Sequence, residues 1–74
     1  MKTYNGHKNY NYWNVSLWVN NDEGLYKIAL DLIRRYKNRK LAAQLFAEMF
    51  EDSKTPDGVP FRVSYVYSAM EGMK

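Results

Sequence analysis

From residue 22 to about residue 37 the apolar positions recur at helical spacing. Leu25, Ile28, Ala29, Leu32, Ile33 and Tyr36 form one stripe, and Lys27, Asp31, Arg34 and Arg35 take the other side. Asp22 ahead of this run is a good N-cap residue, and Glu23 places negative charge in the first turn, where the helix dipole favours it. A second helix is expected from about residue 39 to 52. There Leu41, Ala42, Ala43, Leu45, Phe46, Ala47, Met49 and Phe50 leave only Gln44, Glu48 and Glu51 as a polar strip, so it should be the most buried helix. Asn38 reads as a hinge or N-cap between the two, and so short a connection forces an antiparallel or sharply crossed pair. Residues 53–60 read as a loop, with Pro56-Asp57-Gly58 as its turn signal. The flanks are ambiguous. Residues 13–19 and 61–67 alternate apolar and polar as strands do, which allows a β-α-α-β domain, yet both also carry apolar faces at helical spacing.

At 74 residues the chain is long enough for one core, so residues 1–74 are expected to form a single domain, with residues 1–8 as a flexible N-terminal segment. Hydrophobic residues at 46% and charged residues at 26% lie in the globular range, so the chain should fold. The aromatic share of 16% shows how a domain this small gains buried area. With no cysteine, packing alone must hold it together, thiol chemistry is excluded, and a reducing compartment is the simplest reading. No apolar run approaches the ~20 residues of a membrane span, and the first residues lack the apolar stretch of a signal peptide, so a cytoplasmic protein is expected.

The stretch from Asn9 to Tyr26 resembles the opening of a family of short uncharacterised proteins from phages, plasmids and bacteria, whose pattern is Asn-Tyr-x-Thr-Trp-x-Val-x-Leu-Trp-hydrophobic-x-Asn-Asp. Asn9, Tyr10, Trp13, Val15, Leu17, Trp18, Asn21 and Asp22 stand where that pattern asks. Tyr12 replaces its Thr, which would have capped a helix beginning at Trp13; Asn11 could move that cap by one residue. The resemblance implies a small, mainly helical domain and selects the all-α reading, a bundle of three to four helices, over the β-α-α-β alternative. It carries no activity, and its frequent home on mobile elements implies a protein acting on host machinery or on proteins of the replicon.

The chemistry narrows further by elimination. His7 is the one histidine and lies in a polar segment, no Gly-rich phosphate loop is present, and Glu48, Glu51 and Asp52 fall on an exposed helix end. No enzyme, no metal site and no cofactor is expected. Arg34, Arg35, Lys37, Arg39 and Lys40 put five cations into seven residues, which with Tyr4, Tyr10, Tyr12, Tyr36, Trp13 and Trp18 is material for nucleic-acid binding. Bases at a helix C-terminus also suit its dipole, so this reading stands second. The leading expectation is a small protein-binding module acting on a host or mobile-element protein, as an inhibitor of host machinery or defence among other roles. Tyr, Trp and Arg are the residues most enriched at interface hot spots. A homodimer whose seam is covered by Tyr4, Tyr65 and Tyr67 is the structural alternative.

Trp13 and Trp18 lie about 140° apart on a helix at ~100° per residue, so one core cannot enclose both. Leu17 shares the face of Trp13. The expected core is Trp13, Leu17, Trp18, Leu25, Ile28, Leu32, Leu41, Leu45, Phe46 and Met49, closed by Phe61, Val66 or Met70, with Trp18 nearer the surface than Trp13. Trp13 is its anchor, and Trp18 with Tyr10, Asn14 and Asn21 forms the edge of a binding surface.

Overall fold

The computed structural model describes residues 9–71 and Met73. Four helices follow one another, α1 (Tyr10–Asn21), α2 (Glu23–Tyr36), α3 (Arg39–Met49) and α4 (Val63–Ala69), and no strand occurs among the described residues. The all-α reading holds, and the segments that alternated like strands lie in α1 and at the start of α4. The expected flexible segment at residues 1–8, with His7 and Tyr4, lies outside the described residues.

Three short polar side chains set the helix starts. Asn9, Asp22 and Asn38 have extended backbones, and their side-chain oxygens accept the N–H groups of Tyr12, Leu25 and Leu41 at 3.2, 3.0 and 3.0 Å. Each satisfies one of the amides a helix leaves unpaired at its N-terminus. Asp22 also closes α1, donating its N–H to the Trp18 carbonyl at 2.9 Å, so one residue makes the bend between α1 and α2. The cap of α1 is Asn9, earlier than the Asn11 or Tyr12 positions suggested by the motif. Tyr12 is consequently inside the helix, with its ring edge-on to Tyr65 at 4.9 Å. Lys37 ends α2 in the left-handed region, φ 51°, and donates its N–H to the Ile33 carbonyl at 2.8 Å.

Each helix packs on the next in sequence, and α4 returns to lie against α1, closing the bundle. Two asparagines of α1 tie that last seam: Asn11 Nδ2 donates to the Tyr65 hydroxyl at 3.1 Å and Asn20 Nδ2 to the Ala69 carbonyl at 3.2 Å. The core is Val15, Val19, Ala29, Leu32, Ala42, Ala43, Phe46, Val59, Phe61, Val66, Ala69, Met70 and Met73. Ala29 of α2 and Ala42 and Ala43 of α3 are fully enclosed in it. Phe46, Phe50 and Phe61 stack together at centroid separations of 4.8 to 5.9 Å, carrying the chain from α3 through the loop and back into the core.

The expected core is right for Leu32, Phe46, Phe61, Val66 and Met70, has Leu25, Ile28 and Leu45 packed against it, and is wrong for Leu17 in α1 and for Leu41 and Met49 in α3. Leu17, Leu41 and Met49 are exposed, and Trp13, Trp18, Leu25, Ile28 and Leu45 are half-buried. Trp13 and Leu17 do share a face, but Val15 and Val19 are the residues that point inward. A helix with apolar residues on every side does not announce which side is the core.

Candidate functional site

The loop between α3 and α4 is shaped by a β-turn. Gly58 donates its N–H to the Thr55 carbonyl at 2.8 Å, with Pro56 and Asp57 at the central positions and Gly58 at φ 89°, a conformation that excludes most side chains. Thr55 and Val59 close it further: the Thr55 N–H donates to the Val59 carbonyl at 2.8 Å, and the Val59 N–H to the Thr55 hydroxyl at 3.1 Å. This places the Asp57 carboxylate over the middle of α1.

There α1 receives it. Asn14 is fully buried; its Nδ2 donates to Asp57 Oδ2 at 2.7 Å, and its Oδ1 accepts from the Thr55 hydroxyl at 2.6 Å. The indole N–H of Trp18, one turn on, donates to the same Asp57 oxygen at 3.0 Å. The amide orientation is fixed by this pairing, since a carboxylate only accepts and a threonine hydroxyl can donate. The hydrogen bonds from Asn14 and then Trp18 hold the Asp57 carboxyl below the usual aspartate range, against a smaller opposing effect of desolvation. Asp57 itself is exposed, so solvent screens the field while the geometry persists.

Beside this latch lies an open cleft of about 360 Å³. Trp18, Leu25, Ile28, Phe50, Pro56 and Phe61 supply its apolar lining, and Asp22, Ser53 and Lys54 lie at its polar border. A larger cleft of about 500 Å³ on the far side of Phe61 is bordered by Glu48, Glu51 and Arg62, with Ala47, Pro60, Phe61 and Val63 beneath. The smaller is the better receptacle for an apolar group, because its walls are aromatic and aliphatic side chains from three elements.

Of the four surface residues expected from sequence, three belong to one neighbourhood. Asn14 is enclosed rather than at the surface, Trp18 lines the cleft, and the Tyr10 hydroxyl accepts from Asn14 Nδ2 at 3.5 Å. Asn21 is exposed, and its amide turns back to the Leu17 carbonyl at 2.8 Å. The expected division of labour between the indoles is altered: both are half-buried, and Trp18 anchors the loop. Thr55 and Asp57 were not legible as partners of α1, because no local spacing marks a hydrogen bond between residues some forty positions apart.

The five cations lie together at the α2–α3 corner and are all exposed. Arg34 and Arg35 are in the last turn of α2, Lys37 ends it, and Arg39 and Lys40 open α3. Arg35 pairs with Asp31 at 3.3 Å. Among the described residues no group of three or more His, Cys, Asp or Glu is assembled to hold a metal, and no helix is long and apolar enough to cross a membrane.

Fold and site together define a small all-α domain whose one long loop is latched to its first helix beside an apolar cleft. The chain belongs to a family of unknown function, DUF7249, whose model matches residues 1–74. No curated protein and no solved structure matches it.

Proposed function

We propose that this domain is a non-enzymatic protein-binding module, from a phage or another mobile element, that acts in the cytoplasm on a host or replicon protein. The observation that supports it is the apolar cleft beside Trp18. A cleft of about 360 Å³ with an indole, two phenyl rings and aliphatic walls suits an apolar anchor side chain of a partner. Trp18 and Asp22, two residues of the sequence pattern, line it, and Asn14 holds the loop that contributes Pro56 to the lining.

Affinity capture from nuclease-treated host lysate tests this reading. The wild-type chain retains a partner protein, and Ser53→Trp loses it while keeping the wild-type melting temperature. Ser53 is exposed at the cleft border, so a large ring there fills the cleft without entering the core. Equal capture by both would refute the cleft as the binding site, and a concentration-dependent homodimer that buries Tyr67 instead would replace the reading with self-association.

A further inference from the structure

Helix-end electrostatics account for only part of the basic run. Arg34 and Arg35 stand at the C-terminus of α2, where the dipole favours cations. Arg39 and Lys40 stand in the first turn of α3, where it disfavours them, and the acids Glu48, Glu51 and Asp52 gather at its other end, again in the unfavourable sense. The charges of α3 therefore reinforce its dipole, and the helix itself gives no reason for them. Lys37 adds a second departure: it occupies the left-handed position at φ 51° that glycine or asparagine fills most readily. Among the described residues no carboxylate pairs with Arg34, Lys37, Arg39 or Lys40. Tyr36, within the run, is 43% exposed.

Protein interfaces form around a desolvated apolar centre and are depleted in lysine. The corner has no such apolar centre, since its surface is long cationic side chains, two of them lysines, around one exposed ring. Phosphate backbones are met by arginine and lysine regardless of sequence, and exposed rings stack on unpaired bases. The acids at the far end of α3 would turn that end away from a polyanion and the corner toward it.

We propose that Arg34, Arg35, Lys37, Arg39 and Lys40, with Tyr36, form a sequence-independent contact surface for single-stranded nucleic acid. It shares no residue with the lining of the cleft beside Trp18.

The test is fluorescence anisotropy of a labelled mixed-sequence single-stranded oligonucleotide titrated with the full chain over a salt series. The logarithm of affinity falls linearly with the logarithm of salt concentration. The double variant Arg39→Gln/Lys40→Gln flattens that slope by about 1.4 units, at ~0.7 per lost phosphate contact on a single strand. Tyr36→Ala weakens binding about five-fold or more and leaves the slope unchanged. Lys27→Gln, whose side chain pairs with Glu23 at 3.3 Å at the far end of α2, leaves both unchanged. All these positions are exposed, and melting curves confirm that the variants fold. A wild-type slope in the double variant overturns the proposal. So does displacement by polyglutamate at the same charge concentration as unlabelled polynucleotide, which would assign the corner to an acidic protein.

Discussion

Asn14 and Asp57, 43 residues apart, are joined by a 2.7 Å hydrogen bond that fixes the tip of the α3–α4 loop to the middle of α1. Asn14 is enclosed and accepts the Thr55 hydroxyl with its carbonyl oxygen, so truncating it leaves that buried hydroxyl without its acceptor. Asn14→Ala should lower stability by about 1 to 3 kcal/mol, the usual effect of leaving buried polar groups unpaired. A double-mutant cycle with Asp57→Ala, read by chemical denaturation, should show non-additive effects at the two positions; additive effects would mean the latch is ornamental.

The same bond makes stability depend on acid. Because the folded-state Asp57 titrates below its unfolded value, the stabilisation is fully present above the unfolded value and is lost as pH falls through the folded one. Denaturation midpoints of wild type and Asp57→Asn, measured from neutral pH down through the aspartate range, should converge as pH falls. A constant gap over that range would mean that Asn14 and Trp18 do not favour the charged form.

Gly58 supports the latch through its backbone. At φ 89° with nothing within 4 Å of an added Cβ, the position has room for a side chain but not the conformation for one. Gly58→Ala should therefore destabilise by about 1 to 2 kcal/mol through backbone strain alone. Thermal melts will show it, and an unchanged midpoint would mean that the loop relaxes into another turn.

Along α1 the structure separates neighbours that look alike in sequence. Val19 is fully buried and Leu17 is 36% exposed. Val19→Ala should lower stability by about 2 kcal/mol, from two buried methyl groups at ~0.8 kcal/mol each plus the space they leave. Leu17→Ala should stay within about 0.5 kcal/mol. The reverse order in denaturation experiments would place the core on the Trp13 side of the helix.

What could be read in the sequence follows from how local its causes are. The stripe of α2, the caps at Asp22 and Asn38 and the Pro56-Asp57-Gly58 turn all act within a few residues, and they appear where their spacing puts them. The helical state of residues 13–19 did not follow from periodicity, because Trp13, Leu17 and Trp18 surround α1 with apolar groups as a half-buried strand might; the family resemblance decided it. Which face of α1 turns inward was hidden for the same reason, and it is Val15 and Val19 that are fully buried in the core. The latch and the cleft arise from residues brought together only by the closed bundle, so Asn14 read as a surface residue until its partners Thr55 and Asp57 were in place.

Trp18 reports directly on the cleft. The chain has two tryptophans, so Trp13→Phe leaves Trp18 as the only indole. Titrating this variant with the captured partner, made free of tryptophan, should change Trp18 emission saturably, with a midpoint equal to the affinity measured calorimetrically. Binding that proceeds at full affinity while Trp18 emission stays constant would contradict the cleft as the site where this domain holds its partner.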